Sequence, residues 1–166
     1  VPDHFLVVTR DFQEQTHALS VADFEVALRC LAEADVLVFF NGGAAAGASV
    51  RHRHLQVVPL PLGPGTLRYG LEPAVRGGSL PFRHALLPGP WSDSDQGAAR
   101  LHAWYADCLV RAGWRASHGP SLGVLPPYNL LLSREAAWWV PRTPGYIESF
   151  RCNALGFAGG LLVRGL

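Results

Sequence analysis

Apolar residues along the chain fall into short clusters that switch between a period of two and a period near 3.6, with Gly, Pro and Asn between them. Phe5-Leu6-Val7-Val8-Thr9 is a β-branched and aromatic run that predicts a strand. Ser20 followed three residues later by Asp23 has the form of a capping box, and Phe24, Ala27, Leu28 and Leu31 recur at helical spacing. Together they predict an amphipathic helix over about residues 21–34. Val36-Leu37-Val38-Phe39-Phe40 reads as a buried strand that Asn41-Gly42-Gly43 breaks, after which Ala44 to Ser49 form a loop of small residues. From His52 to Leu60 the pattern is a strand's again, with His52, His54, Gln56 and Val58 on one face and Arg53, Leu55 and Val57 on the other. Arg53, alternating away from His54, is expected in solvent. Pro59, Pro61 and Pro64 stop this strand.

Residues 61–91 carry many Pro and Gly and little periodicity, which predicts an irregular excursion over the surface. A second helix is expected from around Ser92-Asp93-Ser94-Asp95, with Leu101, Trp104, Tyr105, Cys108 and Leu109 as its buried stripe and Gly113 as its C-cap. Tyr128–Leu132 and Ala137–Val140 predict a hairpin, and Asn153 caps a last short helix from Ala154 to about Val163. Strands that pair locally, with helices between and after them, give an α+β fold with a mostly antiparallel sheet. Without a repeat or a linker, residues 1–166 are expected to form a single domain. The first strand begins almost at Val1, which predicts that a segment upstream of it has been lost or lies on a separate polypeptide.

Composition narrows the function classes. Of 166 residues 49% are hydrophobic and 16% charged, so a disordered chain is excluded. A net charge of +1 gives no basic footprint for nucleic acid. No apolar run approaches the roughly 20 residues of a membrane span, so no membrane partner is expected. Cys30, Cys108 and Cys152 are odd in number and far apart, which suits buried thiols in a reducing, cytoplasmic setting.

The chemistry concentrates in residues 39–56. A strand ends in a loop of Gly and Ala, where backbone N–H groups can approach an anion unobstructed, and the next strand sets two imidazoles and a carboxamide two residues apart. No carboxylate lies between Asp35 and Glu72, a composition that suits phosphate and offers little to a hard metal ion. Other readings stay open at this point. A His-x-His pair on a strand can bind metal, although Leu55 to Pro59 provide no third ligand. Two histidines can be structural, and a small-residue loop can be a mere connection. Trp138-Trp139 offers a stacking platform, but on a strand one of the two must face the core.

His52-x-His54-x-Gln56, preceded by Phe40-Asn41-x-Gly43 and Gly47-Ala48-Ser49 and followed by Val57-x-Pro59-Leu60, resembles the HxHxQ region of the diadenosine tetraphosphate phosphorylases (ATP adenylyltransferases) of the histidine-triad superfamily. Asp3-His4-Phe5-Leu6-Val7-Val8-Thr9-Arg10, Tyr128-Asn129-Leu130-Leu131-Leu132 and Asn153-Ala154-Leu155-Gly156-Phe157-Ala158-Gly159 are similar to further blocks of that family, while residues 61–127 match less distinctly. The resemblance implies a HIT-like fold and cleavage of a dinucleoside polyphosphate with inorganic phosphate, giving ATP and ADP. It implies His54 as nucleophile, His52 orienting it through the backbone carbonyl, and Gln56 donating to a nonbridging phosphate oxygen where hydrolytic relatives have a third histidine. Ser49 with the Gly47, Ala48 and Ser49 amides would hold phosphates, with Gly43 in the same loop. Asn41 would contact ribose or phosphate, and His4 would lie behind the site. The implied chemistry requires no cofactor or protein-bound metal, with magnesium carried on the substrate phosphates, and a homodimer paired across a sheet edge is an expectation. Two alternatives remain: a hexose-1-phosphate nucleotidyltransferase of the same superfamily, and a nucleotide-binding module without catalysis. Relatives carry upstream strands that supply much of the nucleoside pocket, so base specificity is not legible in this chain.

Overall fold

The local signals in the sequence become hydrogen bonds in the computed structural model, which describes residues 3–91, 95–114, 123–142 and 152–160. The Ser20 hydroxyl accepts from the Asp23 amide at 3.4 Å while the Asp23 carboxylate accepts from the Ser20 amide at 2.7 Å, closing the capping box. Helix α1 (Val21–Glu33) then buries Phe24, Ala27, Leu28 and Leu31. The other elements are β1 (Phe5–Val8), β2 (Val36–Gly42), β3 (His54–Pro59), α2 (Glu72–Arg76), β4 (Ala85–Pro88), α3 (Asp95–Arg111), β5 (Tyr128–Leu132) and β6 (Ala136–Pro141). Single 3-10 turns stand at Ala44–Ala46 and Ala154–Ala158.

The strands form one antiparallel sheet in the order β1-β3-β2-β5-β6-β4. Both its faces are covered, which explains why β2 and β5 read as unbroken apolar runs. On one face Val36, Val38, Phe40, Leu55, Val57, Leu130, Leu132 and Trp139 pack under α1 and α3. On the other, Leu37, Phe39, Val58, Leu131, Trp138 and Val140 pack under Tyr69, Val75, Leu80 and the turn Ala154–Ala158. His54 and Gln56 belong to this second face by alternation with Val58.

Four expectations need correction. The excursion over 61–91 is not structureless: it contains α2 and the edge strand β4, and Val75 buries itself on the second face. The last helix is the short turn Ala154–Ala158, capped by Asn153 Oδ1 accepting from the Leu155 amide at 3.1 Å; the expected continuation to Val163 runs past the described residues. Arg53 is 5% exposed rather than solvated, because its face of β3 meets the start of α1. There it donates to Asp23 at 3.3 Å and to the Ala18 carbonyl at 2.8 Å, so the buried charge is paired. Trp138 and Trp139 are both buried, one on each face, so neither offers a stacking platform. The start of the second helix at Ser92–Ser94 lies outside the described residues, but of its stripe Leu101, Tyr105, Cys108 and Leu109 are buried and Gly113 takes a left-handed φ of 77° after it; Trp104, at the stripe's margin, is only partly buried, as are the thiols of Cys30 and Cys152. Gln56 and His52 fall on either side of a boundary: β3 begins only at His54, and His52 makes an isolated bridge to Glu14.

Under α3 the Tyr105 and Tyr128 hydroxyls meet at 2.7 Å, and Tyr105 also accepts from the Leu19 amide at 3.3 Å. Burial pushes the Tyr105 phenol up to about 12 and Tyr128 well above its usual value. Both phenols ionise more easily unfolded than folded. Their contribution to stability is therefore complete below about pH 10 and is lost as pH rises above it, for Tyr105 through about 12. Denaturant titrations at a series of pH values should show unfolding free energy falling across that window, and Tyr105→Phe should flatten the slope. A slope unchanged by Tyr105→Phe would remove this pair as its source.

Candidate active site

The site forms where β2 and β3 leave one another. Their register runs from Val36 opposite Pro59 to Phe39 opposite Gln56, and two residues further it sets Asn41 opposite His54. After Asn41 the chain turns through Gly43 (φ +92°), the Ala44–Ala46 turn and Gly47 (φ +100°). Both glycine conformations are ones that side chains resist, and a Cβ on Gly47 would also stand 2.7 Å from Asn153 Cβ. The loop is tied internally, with the Ala46 and Ala48 amides donating to the Gly43 carbonyl and the Gly47 amide to Ala44. In this conformation the Gly47 and Ala48 amides are thus spent inside the loop. Ser49 follows them, and no hydrogen bond joins it to another described residue.

His54 is 3% exposed, and its Nδ1 donates to the His52 carbonyl oxygen at 2.7 Å. A carbonyl can only accept, so a neutral imidazole held this way carries its proton on Nδ1 and its lone pair on Nε2. His52 supplies that carbonyl while its own ring turns away: Nε2 donates to the Asp11 carbonyl at 3.3 Å and lies 3.0 Å from Thr9 Oγ1. Gln56, partly exposed, stands two residues along the same face. His4 lies on the surface with its ring centroid 6.1 Å from that of Phe39, the residue opposite Gln56. The structure thus brings His54, Gln56, Asn41 and His4 to one face of the sheet.

A polar row crosses the sheet from Asn41. Its Oδ1 accepts from Asn129 Nδ2 at 2.8 Å and from the Ala154 amide at 2.9 Å. Asn129 Nδ2 also donates to the Ala46 carbonyl at 2.9 Å, and its Oδ1 accepts from Arg142 at 3.3 Å. Arg142 in turn donates to the Cys152 carbonyl at 2.9 Å and lies over the Phe157 ring. These bonds hold the small-residue loop, β5 and the 154–158 turn in one frame. They also use both lone pairs of Asn41 Oδ1, while the buried Asn41 Nδ2 has no hydrogen-bond partner among the described residues. A buried amide N–H without a partner costs about 1–3 kcal/mol, so an acceptor oxygen placed beside it gains a full hydrogen bond.

Sequence reading passed over Asn129, Arg142 and Gln15. An asparagine inside the apolar run Tyr128–Leu132 is a usable signal, since a buried carboxamide requires partners. Gln15 gave none: it lies in an irregular segment, yet it is 1% exposed and its carboxamide donates to the Asn41 and His54 carbonyls at 3.0 and 3.2 Å and accepts from the His54 amide at 2.8 Å. Among the described residues no three His, Cys, Asp or Glu side chains gather as a metal would require.

Comparison with known proteins divides the chain between two family descriptions. Residues 1–77 match the Ap4A phosphorylase N-terminal domain and residues 78–165 the ATP adenylyltransferase C-terminal domain. The first segment supplies β1, β3 and β2, and the second β5, β6 and β4, so the two halves complete one sheet. Protein APA1 of Saccharomyces cerevisiae is 29% identical, covering 99% of this chain and 58% of that protein. Diadenosine 5',5'''-P1,P4-tetraphosphate phosphorylase 2 of the same yeast is also 29% identical, covering 99% of this chain and 59% of its own length. Among solved structures, yeast Ap4A phosphorylase Apa2 in complex with AMP matches with a TM-score of 0.77 at 27% identity, covering 100% of this chain and 62% of the yeast chain. The same enzyme in complex with Ap4A matches at 0.72 and 27%, over 96% and 60%. The chain therefore spans about three fifths of the length of the relatives it matches.

Asn129→Leu keeps the volume and removes both functions of the amide, leaving Asn41 Oδ1, the Ala46 carbonyl and Arg142 each short of a partner. Unfolding free energy, followed by denaturant titration, should fall by about 1–3 kcal/mol. Wild-type stability in this variant would show that the polar row does not hold the loop.

Proposed function

Because the chain belongs to the ATP adenylyltransferase and Ap4A phosphorylase family, we propose that it acts as a nucleotidyltransferase, splitting diadenosine tetraphosphate with inorganic phosphate into ATP and ADP through a nucleotide held on His54. The observation that carries this reading is the hydrogen bond from His54 Nδ1 to the His52 carbonyl, which turns the Nε2 lone pair into the site. In the first step Nε2 attacks the α-phosphorus of one adenosine. An N–P bond forms, the P–O bond to the remaining polyphosphate breaks, and ATP leaves. In the second, an oxygen of inorganic phosphate attacks the same phosphorus, the N–P bond breaks, ADP leaves and His54 is restored. Division into two in-line displacements replaces one difficult transfer by two easier ones.

The surrounding groups are assigned by what they can donate. Asn41 Nδ2 is buried without a partner among the described residues and suits a ribose or phosphate oxygen. Gln56 donates to a nonbridging oxygen of the transferred phosphate. Ser49 offers its hydroxyl and amide to the leaving polyphosphate, and Gly43, Gly47 and Ala48 shape the loop that presents it. His4, over Phe39, backs the site. Magnesium, when present, is held by the polyphosphate's own oxygens, since the sequence has no carboxylate between Asp35 and Glu72. No helix of the described residues is long and apolar enough to cross a membrane, and the three free cysteines support a cytoplasmic setting.

Incubating the chain with Ap4A in the absence of phosphate should give an acid-labile adenylyl adduct by intact-mass measurement, and mapping should place it on His54. His54→Ala should abolish it; labelling that persists in His54→Ala sinks the assignment. A uridylyl adduct from UDP-glucose instead would move the chain to the sugar-phosphate branch, and nucleotide binding without any adduct would favour a binding module. The exposed apolar residues of edge strand β1, Phe5, Leu6 and Val8, support pairing of two copies across a sheet edge. Gel filtration should then show a dimer, and a monomer at high concentration rules it out.

A further inference from the structure

We propose that Gln15 is a positioning residue for the nucleophile, an inference that rests on reading His54 as the group that takes the nucleotide. Its carboxamide stands where the next rung of the β2–β3 ladder would be. In the observed register Asn41 is opposite His54, and the Leu60 amide bonded to the Asp35 carbonyl at 2.9 Å fixes the alternation, so these two residues would exchange backbone hydrogen bonds. They do not. Gln15 Oε1 takes the His54 amide at 2.8 Å in place of the Asn41 carbonyl, and Gln15 Nε2 donates to both the Asn41 and the His54 carbonyl oxygens. One carboxamide thus satisfies three backbone groups and holds the strands apart by its own width. The splay falls between the proposed nucleophile and the asparagine whose Nδ2 has no partner among the described residues.

The backbone of the same residue holds the other end of the histidine pair. The Gln15 amide donates to the Arg51 carbonyl at 2.8 Å, the Arg53 amide donates to the Gln13 carbonyl at 2.8 Å, and Glu14 bridges to His52 between them. Residues 13–15 therefore act as a short partner strand for residues 51–53, which fixes the direction of the His52 carbonyl. From one position the backbone of Gln15 sets the acceptor and its side chain sets the backbone of the donor in the His54 Nδ1–His52 bond. That bond decides which ring nitrogen faces phosphorus, so a shift at either end misaims the lone pair.

Gln15→Met keeps the length and loses every side-chain hydrogen bond; Gln15→Asn keeps the carboxamide and loses the reach. In chains with an unchanged circular dichroism spectrum, the rate of adenylyl adduct formation from Ap4A should fall on the order of tenfold to a hundredfold, with AMP affinity within about twofold of wild type. Long-range proton–nitrogen spectra should show His54 as the Nδ1-protonated tautomer in the wild type and as a mixture in the variants. Wild-type rate and tautomer in either folded variant overturn the proposal, and so does loss of the fold in both, which would assign Gln15 to stability alone. If the wild-type chain itself forms no adduct, the nucleophile reading fails, and the tautomer spectra still decide whether Gln15 sets the ring.

Discussion

An imidazole is symmetric enough to fail as a nucleophile in two ways, by presenting a proton or by presenting the wrong nitrogen. The 2.7 Å bond from His54 Nδ1 to the His52 carbonyl decides, for the neutral ring, which nitrogen carries the proton and which way the ring faces, and much of the surrounding structure serves to hold its two ends. Donor and acceptor lie two residues apart at the point where the partner strand changes: β3 starts at His54, and His52 stands just outside it, in a bridge to Glu14.

Rigidity around this point comes from burial on both sides of the sheet. Leu55 and Val57 anchor β3 against α1 and α3, while Val58 anchors it under the Ala154–Ala158 turn, so the strand cannot slip by one residue without exposing one set and burying polar groups in the other. Arg53 adds a further tie on the helix side through Asp23, whose carboxylate also caps α1. The Asn41–Asn129–Arg142 row adds one on the opposite face, joining the loop to β5 and to the chain near Cys152. A site built between such fixed elements can keep its donors aimed before a substrate arrives, which is where electrostatic catalysis gains most.

The two matched family segments meet in the middle of this arrangement. β2 and β5 pair across the division, and so do Asn41 and Asn129. The proposed nucleophile and its loop come from the first segment, and the groups that brace the loop come from the second. Neither segment alone would satisfy Asn41 Oδ1, which takes one hydrogen from Asn129 and one from Ala154.

Much of this was legible in the residues themselves. The capping box, the helical stripe of α1, the alternation that puts His54 and Gln56 on one face, and the small-residue loop are all set by near neighbours, and local periodicity reports them directly. The excursion over 61–91 hid α2 and β4 because both are short and owe their form to docking against Trp138 and its neighbours rather than to propensity. Arg53 was misplaced because alternation tells which face a residue takes but not what waits there, and a paired carboxylate at the start of α1 lies 30 residues away in sequence. Gln15 was invisible for the same reason: its partners are 26 and 39 residues distant. Sequence determined the groups proposed to do chemistry, since their spacing is local. Only the tertiary structure decided which buried amides hold them, because hydrogen-bond satisfaction is a property of the packed chain and has no period.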